Sequence, residues 1–534
     1  MPFLAQEHVS IPNKDLLSWT FDGLSYDEDK PIYIDALNPA RSISARQAKT
    51  LIRKLVAGFR KIGLYYPIFF LAIVAAGGIF AGTNVAYKPF ELSHHLKVSR
   101  SRFVIANAAF LETLLEGAKA VSIPKESIIL FNPDDEPVPS GYTRWTDLLS
   151  AGEEDWVRFD DQEIAEETIA ALLFSSGTTG LPKAVKLSHR NLIAQDTLIR
   201  EHKRTPWITK RLLALPMFHA ASTPVACTTP LRAGEQAYIL RQFDLEKWFW
   251  AMQEYQITDM ALVPPIAIGI IMSPLRHQYS LKSVRVAYCG AAPLDRRPQA
   301  RVQELLAPGA TFTQVWGMTE TSCIATKLYY NDYPSGDTTG SVGHPIPNLD
   351  VKLVDENGRD VSEYGVRGEI CVRGPTVTRG YYDNAEANAR DFDADGFFHT
   401  GDVAYCDAKT KLFYIVDRRK ELIKVRGFQV APAELEGILL SHPDIVDVAV
   451  IGVTLTRSES SDSEFPRAYV VRRPGTGASL AVEDVKKYIE DRLVYYKRLD
   501  GGVVFVPAIP KNASGKILKR ILREQAEKEM GAKL

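Results

Sequence analysis

The chain has 534 residues, 46% hydrophobic and 24% charged, with a formal net charge of −1. That length calls for two or more domains around separate cores. The near-neutral balance supplies no basic field for nucleic acid or an anionic membrane, so an anionic substrate must be met by local charges.

The first residues, Met1-Pro-Phe-Leu-Ala-Gln-Glu, lack the basic start and apolar block of a signal peptide. From Tyr65 to Tyr87 there is no charge, and the apolar run is long enough to span a bilayer. Pro67, the Gly77-Gly78 pair and Asn84 cut it into helix, turn and strand, so no transmembrane span is expected. Apolar runs at 103–106, 170–174, 212–215, 284–288 and 351–354 read as strands, and 191–203 and 245–255 as helices. The alternation predicts an α/β fold. Past Gly340, short strands with Gly and Pro turns predict a small β-rich subdomain. From Asp417 onward an α+β piece is expected, with helices at 433–440 and 485–493 and strands at 446–452, 468–471 and 502–506. The Ser-rich stretch from Ser458 to Glu464 reads as a solvated loop. The five cysteines, Cys227, Cys289, Cys323, Cys371 and Cys406, form no CxxC pair, which predicts free thiols, a reducing compartment and no structural zinc. Cys289 reads as core.

The apolar run from Ile169 to Phe174 leads into Ser175-Ser176-Gly177-Thr178-Thr179-Gly180-Leu181-Pro182-Lys183. Glycines let several N–H groups point at one anion, hydroxyls add donors, and Lys183 adds positive charge. This is a phosphate cradle whose spacing does not fit a Walker A loop. A flexible surface loop is the bland alternative.

The cradle resembles the signature loop of the acyl-adenylate-forming (ANL) superfamily, which includes acyl-CoA synthetases, peptide-synthetase adenylation domains and beetle luciferases. Further segments resemble the superfamily's motifs in order: Leu215 to His219, Gly290-Ala291-Ala292-Pro293-Leu294, Gln314 to Thr321, Arg367 to Ile370, His399-Thr400-Gly401-Asp402, Asp417 to Val430, and Pro510 to Leu518. Gly427 to Glu436 is most similar to the 4-coumarate–CoA ligase and fungal aryl/acyl-CoA ligase branch. The resemblance implies a large N-terminal domain of packed mixed sheets with helices plus the small β-rich subdomain (1–416), a hinge (417–420), and a small mobile α+β C-terminal domain (421–534). After Leu64 the chain goes directly to Tyr65, where members carry roughly fifteen more residues, room for a strand and a turn. Three readings of this stay open: a dispensable strand of the N-terminal sheet is absent, another segment replaces it, or the gene model has lost an exon.

The implied activity is ATP-dependent conversion of a carboxylic acid to acyl-AMP, then to acyl-CoA, with Mg²⁺. Ser175, Ser176, Gly177, Thr178, Thr179, Gly180 and Lys183 would hold the β- and γ-phosphates. Thr319 would bond the α-phosphate, and Glu320 would bind Mg²⁺ as an oxygen ligand. Gly290, Ala291 and Ala292 would wall the adenine beside Trp316 and Gly317. Trp316 stands where members more often have Tyr, which keeps stacking and loses a phenol hydroxyl. Asp402 and Arg418 would meet the ribose hydroxyls. His219 would face the carboxylate or the thiol. Lys516 would bridge carboxylate and α-phosphate during adenylation. Rotation at Lys420 would then bring Arg426, Gly427 and Phe428 in for thioester formation, with Lys424 and Gln429 touching the adenylate in one state. From local sequence alone, Asp402 also reads as a turn residue, Glu320 as a helix cap, His219 as a core histidine and Lys516 as a surface lysine.

The expected acyl walls are His219, Ala220, Ala221, Val263, Ile266, Gly290, Ala291, Gly317, Cys323 and Ile324, small and apolar with no fixed cation. They favour an uncharged aryl or medium-chain acid, and a larger residue at 317 is expected to shorten the tail accepted. Two other readings are a freestanding domain that loads a carrier protein and a relic that only binds nucleotide. The final Ala532-Lys533-Leu534 resembles the S-K-L address, which implies a peroxisomal import receptor as partner, with the cytoplasm as alternative.

Overall fold

The computed structural model describes residues 1–57, 66–119, 121–131, 137–175, 182–294, 296–418, 421–425, 428–454, 464–475, 480–511, 515 and 517–531. A seven-stranded sheet lies at its centre, in the order Thr311–Gln314, Val286–Cys289, Asp259–Leu262, Lys210–Leu213, Gln236–Ile239, Pro31–Asp35, Ser42–Ser44. Every pair is parallel except the last, which is antiparallel. Parallel strands need crossover connections, and helices supply them. Leu245–Glu254 starts where Asp244 accepts a hydrogen bond from the Lys247 amide. Pro264–Met272 starts on a Pro pair, whose missing N–H is harmless in a first turn. These helices and Arg296–Gln303 cover one sheet face, burying Met260, Leu262, Ala287, Cys289 and Phe312. Four loops, those after Leu213, Leu262, Cys289 and Gln314, leave the carboxyl ends of neighbouring parallel strands, where open α/β sheets place ligands.

A second sheet pairs Phe80–Ala81 parallel with Ile169–Ser175, which pairs antiparallel with Lys183–Ser188. A third is built from Val104–Asn107, Ile128–Phe131 and Thr143–Arg144. The long apolar run resolves into helix Tyr66–Ala75, a turn at Gly77 with φ +74°, and strand Phe80–Ala81. The helix is apolar all round because it is buried all round, with Phe70, Leu71 and Ala72 fully enclosed. Among the described residues no helix is long and apolar enough to cross a membrane. The shortened connection at Leu64 and Tyr65 lies outside the described residues.

Asp350–Val354, Gly368–Arg373, Phe398–Cys406 and Phe413–Arg418 form the expected β-rich piece, a four-stranded antiparallel sheet. The C-terminal part has its own sheet, Ile445–Thr454, Glu464–Arg472 and Gly502–Phe505, and its own core around Leu435, Val448, Val470 and Ile489. The fold is therefore α/β with a large N-terminal and a small α+β C-terminal part. Two details differ from the sequence expectation. The 191–203 helix begins earlier, at His189–Asp196, and widens into a π turn over Thr197–Glu201. Glu464 opens a strand rather than closing a loop; residues 455–463 lie outside the described set. All five cysteines are free thiols, and Cys289 is 1% exposed.

His95 supports the strand that enters the phosphate loop. Its ring stacks on Phe174 at 4.0 Å, and its Nε2 shares a 2.9 Å hydrogen bond with Thr83 Oγ1. Burial pushes its pKa from 6.5 down to about 3, and that of His189 to about 4. As pH falls below 6.5 the unfolded chain takes up protons that the folded chain refuses, so stability is lost. Asp196 and Asp417 oppose this, because burial raises them to about 7 and about 6 and the folded chain binds their protons first. Replacing His95→Gln should flatten the acid limb, cutting the Tm loss between pH 6.5 and pH 4 by at least about 3 °C, as scanning calorimetry would read. An unchanged slope would remove His95 from the account.

Candidate active site

Ser175 ends one hairpin strand and faces Lys183 across the register. Ser176, Gly177, Thr178, Thr179 and Gly180 lie outside the described residues. The Ser175 hydroxyl is buried without a partner among the described residues, as a donor kept for an absent oxygen would be. His94 Nε2 anchors the far end of the loop at the Pro182 carbonyl, 3.0 Å away. Lys183 Nζ pairs with Asp391 at 3.0 Å and lies 3.8 Å from the centre of the Tyr381 ring. Burial works upward on the Asp391 carboxyl, but hydrogen bonds from Arg390 and Lys183 outweigh it and hold the pKa below the ordinary value. The Tyr381 hydroxyl donates to Glu320 Oε1 at 3.0 Å, and both residues are buried. Burial, then Glu320 and Asp391, raise the Tyr381 phenol far above its usual range, so it stays a donor. The Glu320 carbonyl is fixed by the Thr378 amide at 2.7 Å. Thr319 is buried beside it on the same short helical turn, Thr319–Thr321. A fixed, buried carboxylate next to a hydroxyl is an oxygen donor set that fits a hard divalent cation.

The adenine side is built at the ends of two neighbouring strands. Gly290 follows Cys289, and Ala291 turns the chain at φ +71°. Trp316 follows Gln314 by two residues and is clamped to Thr326 by paired amides. Its indole N–H donates to Asp402 Oδ2 at 2.8 Å, and both side chains are buried. Arg418 Nε lies 3.1 Å from Asp402 Oδ1. The two residues are register partners on adjacent antiparallel strands. Burial works against the Arg418 charge, but Asp402 and Glu421 outweigh it and raise its pKa. The Gly401 amide donates to Glu369 Oε1 at 2.9 Å, which holds the turn that presents Asp402. Trp316 lacks a phenol hydroxyl, and its indole N–H supplies a polar contact of its own.

At the acyl end, the Ala221 amide donates to His219 Nδ1 at 3.2 Å. Ala221 and Ala291 are exposed to open space, and Cys323 and Ile324 are half-buried. Ala220 and Val263 are closed into the core. Gly317 corrects the sequence reading. A Cβ there would lie 1.7 Å from the Cys323 carbonyl oxygen, so any side chain at 317 displaces backbone and cannot act as a simple pocket floor. Ser322 and Cys323 already carry positive φ, 61° and 134°. Such strain is held where a site over-determines it.

From the C-terminal part, Lys424 and Gln429 are register partners in strands Ile423–Val425 and Phe428–Val430. The side chains of Lys424, Phe428 and Gln429, together with Lys420, Arg426, Gly427 and Lys516, lie outside the described residues. Gly515, beside Lys516, adopts φ +81°, and a Cβ on it would sit 2.7 Å from Pro265 at the start of the Pro264–Met272 helix. Gly515 thus touches the large part at the start of the Pro264–Met272 helix.

Residues 27–382 match the AMP-binding enzyme family and 434–516 match the AMP-binding enzyme C-terminal domain. The chain belongs to the AMP-binding enzymes. It is 48% identical over 548 aligned positions to a phenylacetyl-CoA ligase of Aspergillus niger, covering 99% of this chain and 100% of that one. An acyl-CoA synthetase of Alternaria alternata is 50% identical, with coverage of 93% and 88%. The crystal structure of ATP-bound MatB from Rhodopseudomonas palustris superposes with a TM-score of 0.81 at 26% identity, covering 97% of this chain and 99% of that one.

This AMP-binding enzyme also places, beside the expected site groups, residues that sequence reasoning missed. Tyr381, Asp391, His94 and Glu369 brace the assigned groups; only Glu369 fell inside a quoted motif. If the indole hydrogen bond positions Asp402, Trp316→Phe should keep stacking and weaken ATP binding about tenfold, or about 1.4 kcal/mol, measured by titration calorimetry. Unchanged ATP affinity would show that Asp402 needs only Arg418.

Proposed function

We propose that this chain is an AMP-forming acid–CoA ligase that acts on an aryl or medium-chain carboxylic acid. The carboxylate oxygen attacks the α-phosphorus of ATP, the bond to pyrophosphate breaks, and acyl-AMP remains. The sulfur of CoA then attacks the acyl carbonyl, its proton leaves to solvent or a base, and AMP departs. The observation that carries the reading is the convergence of Trp316, Asp402 and Arg418 with Thr319, Glu320, Tyr381 and Lys183 beside the carboxyl ends of parallel strands. The first step moves charge onto phosphate oxygens, and fixed donors stabilise it without reorganising.

Lys183 and the Ser175 hydroxyl would meet the outer phosphates. Thr319 would donate to the α-phosphate, and Asp402 would accept from the ribose hydroxyls. Bound at Glu320, Mg²⁺ would neutralise phosphate charge; Tyr381 fixes that carboxylate. Lys516 would steady the incoming carboxylate beside the α-phosphate, which suits a flexible point charge. Turning at 417–420 would then replace Lys516 by the Arg426-Gly427-Phe428 segment for the thioester step. The phenylacetyl-CoA ligase relative supports an aryl acid, and the small groups at Ala221 and Ala291 leave room for one. Loading of a carrier protein is less favoured, because these relatives bear CoA-ligase and CoA-synthetase names.

A panel of acids assayed for ATP- and CoA-dependent AMP release tests the reading, with phenylacetate and octanoate as first members. Lys516→Ala should lower acyl-AMP formation by about two orders of magnitude or more and spare CoA attack on supplied acyl-AMP. Equal loss of both half-reactions would refute the two-state assignment. We further propose that Ala532-Lys533-Leu534 directs the chain to peroxisomes. A fluorescent fusion with this tail free should be punctate and should turn diffuse when Leu534 is deleted; a diffuse signal from the intact tail would refute it.

A further inference from the structure

The antiparallel sheet gathers Glu369, Cys371 and His399 beside the turn that presents Asp402. Glu369 and Cys371 are two apart on strand Gly368–Arg373, so both point to the same side. Cys371 is the register partner of His399 on strand Phe398–Cys406. The partner of Glu369 is Val403. Four steps, from His399 to Val403, therefore oppose two, from Cys371 to Glu369, and the excess bulges out around Gly401. Cys371 Sγ lies 3.4 Å from His399 Nδ1, and that nitrogen lies 3.5 Å from Glu369 Oε2. One ligand atom from each of the three residues lies within 4.8 Å of the other two. Cys371 and Glu369 are buried, and His399 is half-buried.

These spacings are those of a coordination shell. A tetrahedral Zn²⁺, with sulfur at about 2.3 Å and nitrogen or oxygen at about 2.0 Å, sets its ligands about 3.3–3.6 Å apart. A thiolate, an imidazole and a carboxylate suit Zn²⁺ better than Mg²⁺ or Ca²⁺, which take oxygen. The outer contacts fit as well. His399 Nε2, the other ring nitrogen, lies 3.7 Å from Asp393 Oδ2. A carboxylate at that position is the usual companion of a metal-bound imidazole. Asp393 is itself paired with Lys352 at 2.6 Å, so its charge is already balanced. The Glu369 carboxylate and a Cys371 thiolate would match the two charges of the ion, with the thiol proton released to solvent. The His399 side chain is 26% exposed, which leaves an entry path and a fourth position for water. Glu369 Oε1 keeps the Gly401 amide at 2.9 Å while Oε2 faces the cluster.

We propose that Glu369 Oε2, Cys371 Sγ and His399 Nδ1 form a zinc site, and that the ion braces the Gly401 turn on which Asp402 sits. The site uses other residues than the Mg²⁺ position assigned to Glu320, and a different donor chemistry. Cysteine spacing carries no sign of it, because its ligands come from two strands that only the sheet brings together. Cys371 and His399 are 28 residues apart.

Cobalt reports such a site in the full chain, stripped with chelator and titrated with CoCl₂ in excess Mg²⁺ to fill oxygen sites. About one Co²⁺ per chain should bind with an intense thiolate-to-cobalt charge-transfer band, and ZnCl₂ should displace it. Cys371→Ser should abolish the band. His399→Gln changes the half-exposed ligand, so it reads the site even where the Cys371 variant does not fold. It should weaken zinc at least about tenfold. Zinc loading should slow hydrogen exchange of the peptide carrying Gly401 by about tenfold. Absence of the band, its survival in Cys371→Ser, or unchanged zinc affinity in His399→Gln overturns the site. Bound zinc with unchanged exchange at Gly401 overturns the brace.

Discussion

The position of one carboxylate organises this molecule. Asp402 takes a hydrogen bond from Trp316 and pairs with Arg418, and each partner belongs to a different region. Trp316 comes from the loop after the central parallel sheet. Arg418 ends the last strand of the antiparallel sheet, at the exit toward the C-terminal part. A buried charge is tolerated only when it is paired and hydrogen-bonded, so the loop after the central sheet and the antiparallel sheet must meet in one geometry for Asp402 to be buried at all. Both carboxylate oxygens keep a further lone pair, which lets the same group that locks the fold accept from a ligand.

The phosphate side repeats this logic with Tyr381 in the middle. Its ring lies under the Lys183 ammonium and its hydroxyl fixes Glu320, so one residue orients the group suited to a phosphate and the group suited to a cation. Low local dielectric strengthens each contact and makes any unpaired member expensive. Preorganised donors of this kind suit a reaction in which charge moves over phosphate oxygens.

The junction to the C-terminal part is also electrostatic. Lys519 is 8% exposed and lies 3.1 Å from Glu436 and 3.4 Å from Glu421. Asp417 accepts from the Ala433 amide at 3.1 Å and from its neighbour Arg418 at 2.7 Å. Burial sets the raised pKa of Asp417, and Lys519 opposes it. Charged pairs join Glu421 and Glu436 to the last helix, and Leu422 and Ala431 pack on Val403 beside them.

The sequence by itself determined the elements and the chemistry they carry. The 170–174 run, the helix and strand cut from the long apolar stretch, the antiparallel sheet past Gly340 and the separate C-terminal core all follow from periodicity and from Gly and Pro punctuation, which are local properties. The motif residues Ser175, Lys183, Glu320, Trp316, Asp402 and Arg418 were legible because short spacings of distinctive residue types carry them. Only the tertiary structure decided the pairings. Trp316 and Asp402 are 86 residues apart, Glu320 and Tyr381 are 61, and no local pattern announces either contact. Gly317 looked like a tunable pocket position until the Cys323 carbonyl filled its space. Lys327 carries no local signal, yet packing buries it over the rings of Tyr288 and Tyr329. A residue's chemistry is fixed by its type, but its partner, its burial and the space in front of it are set by segments distant in the chain that packing brings together.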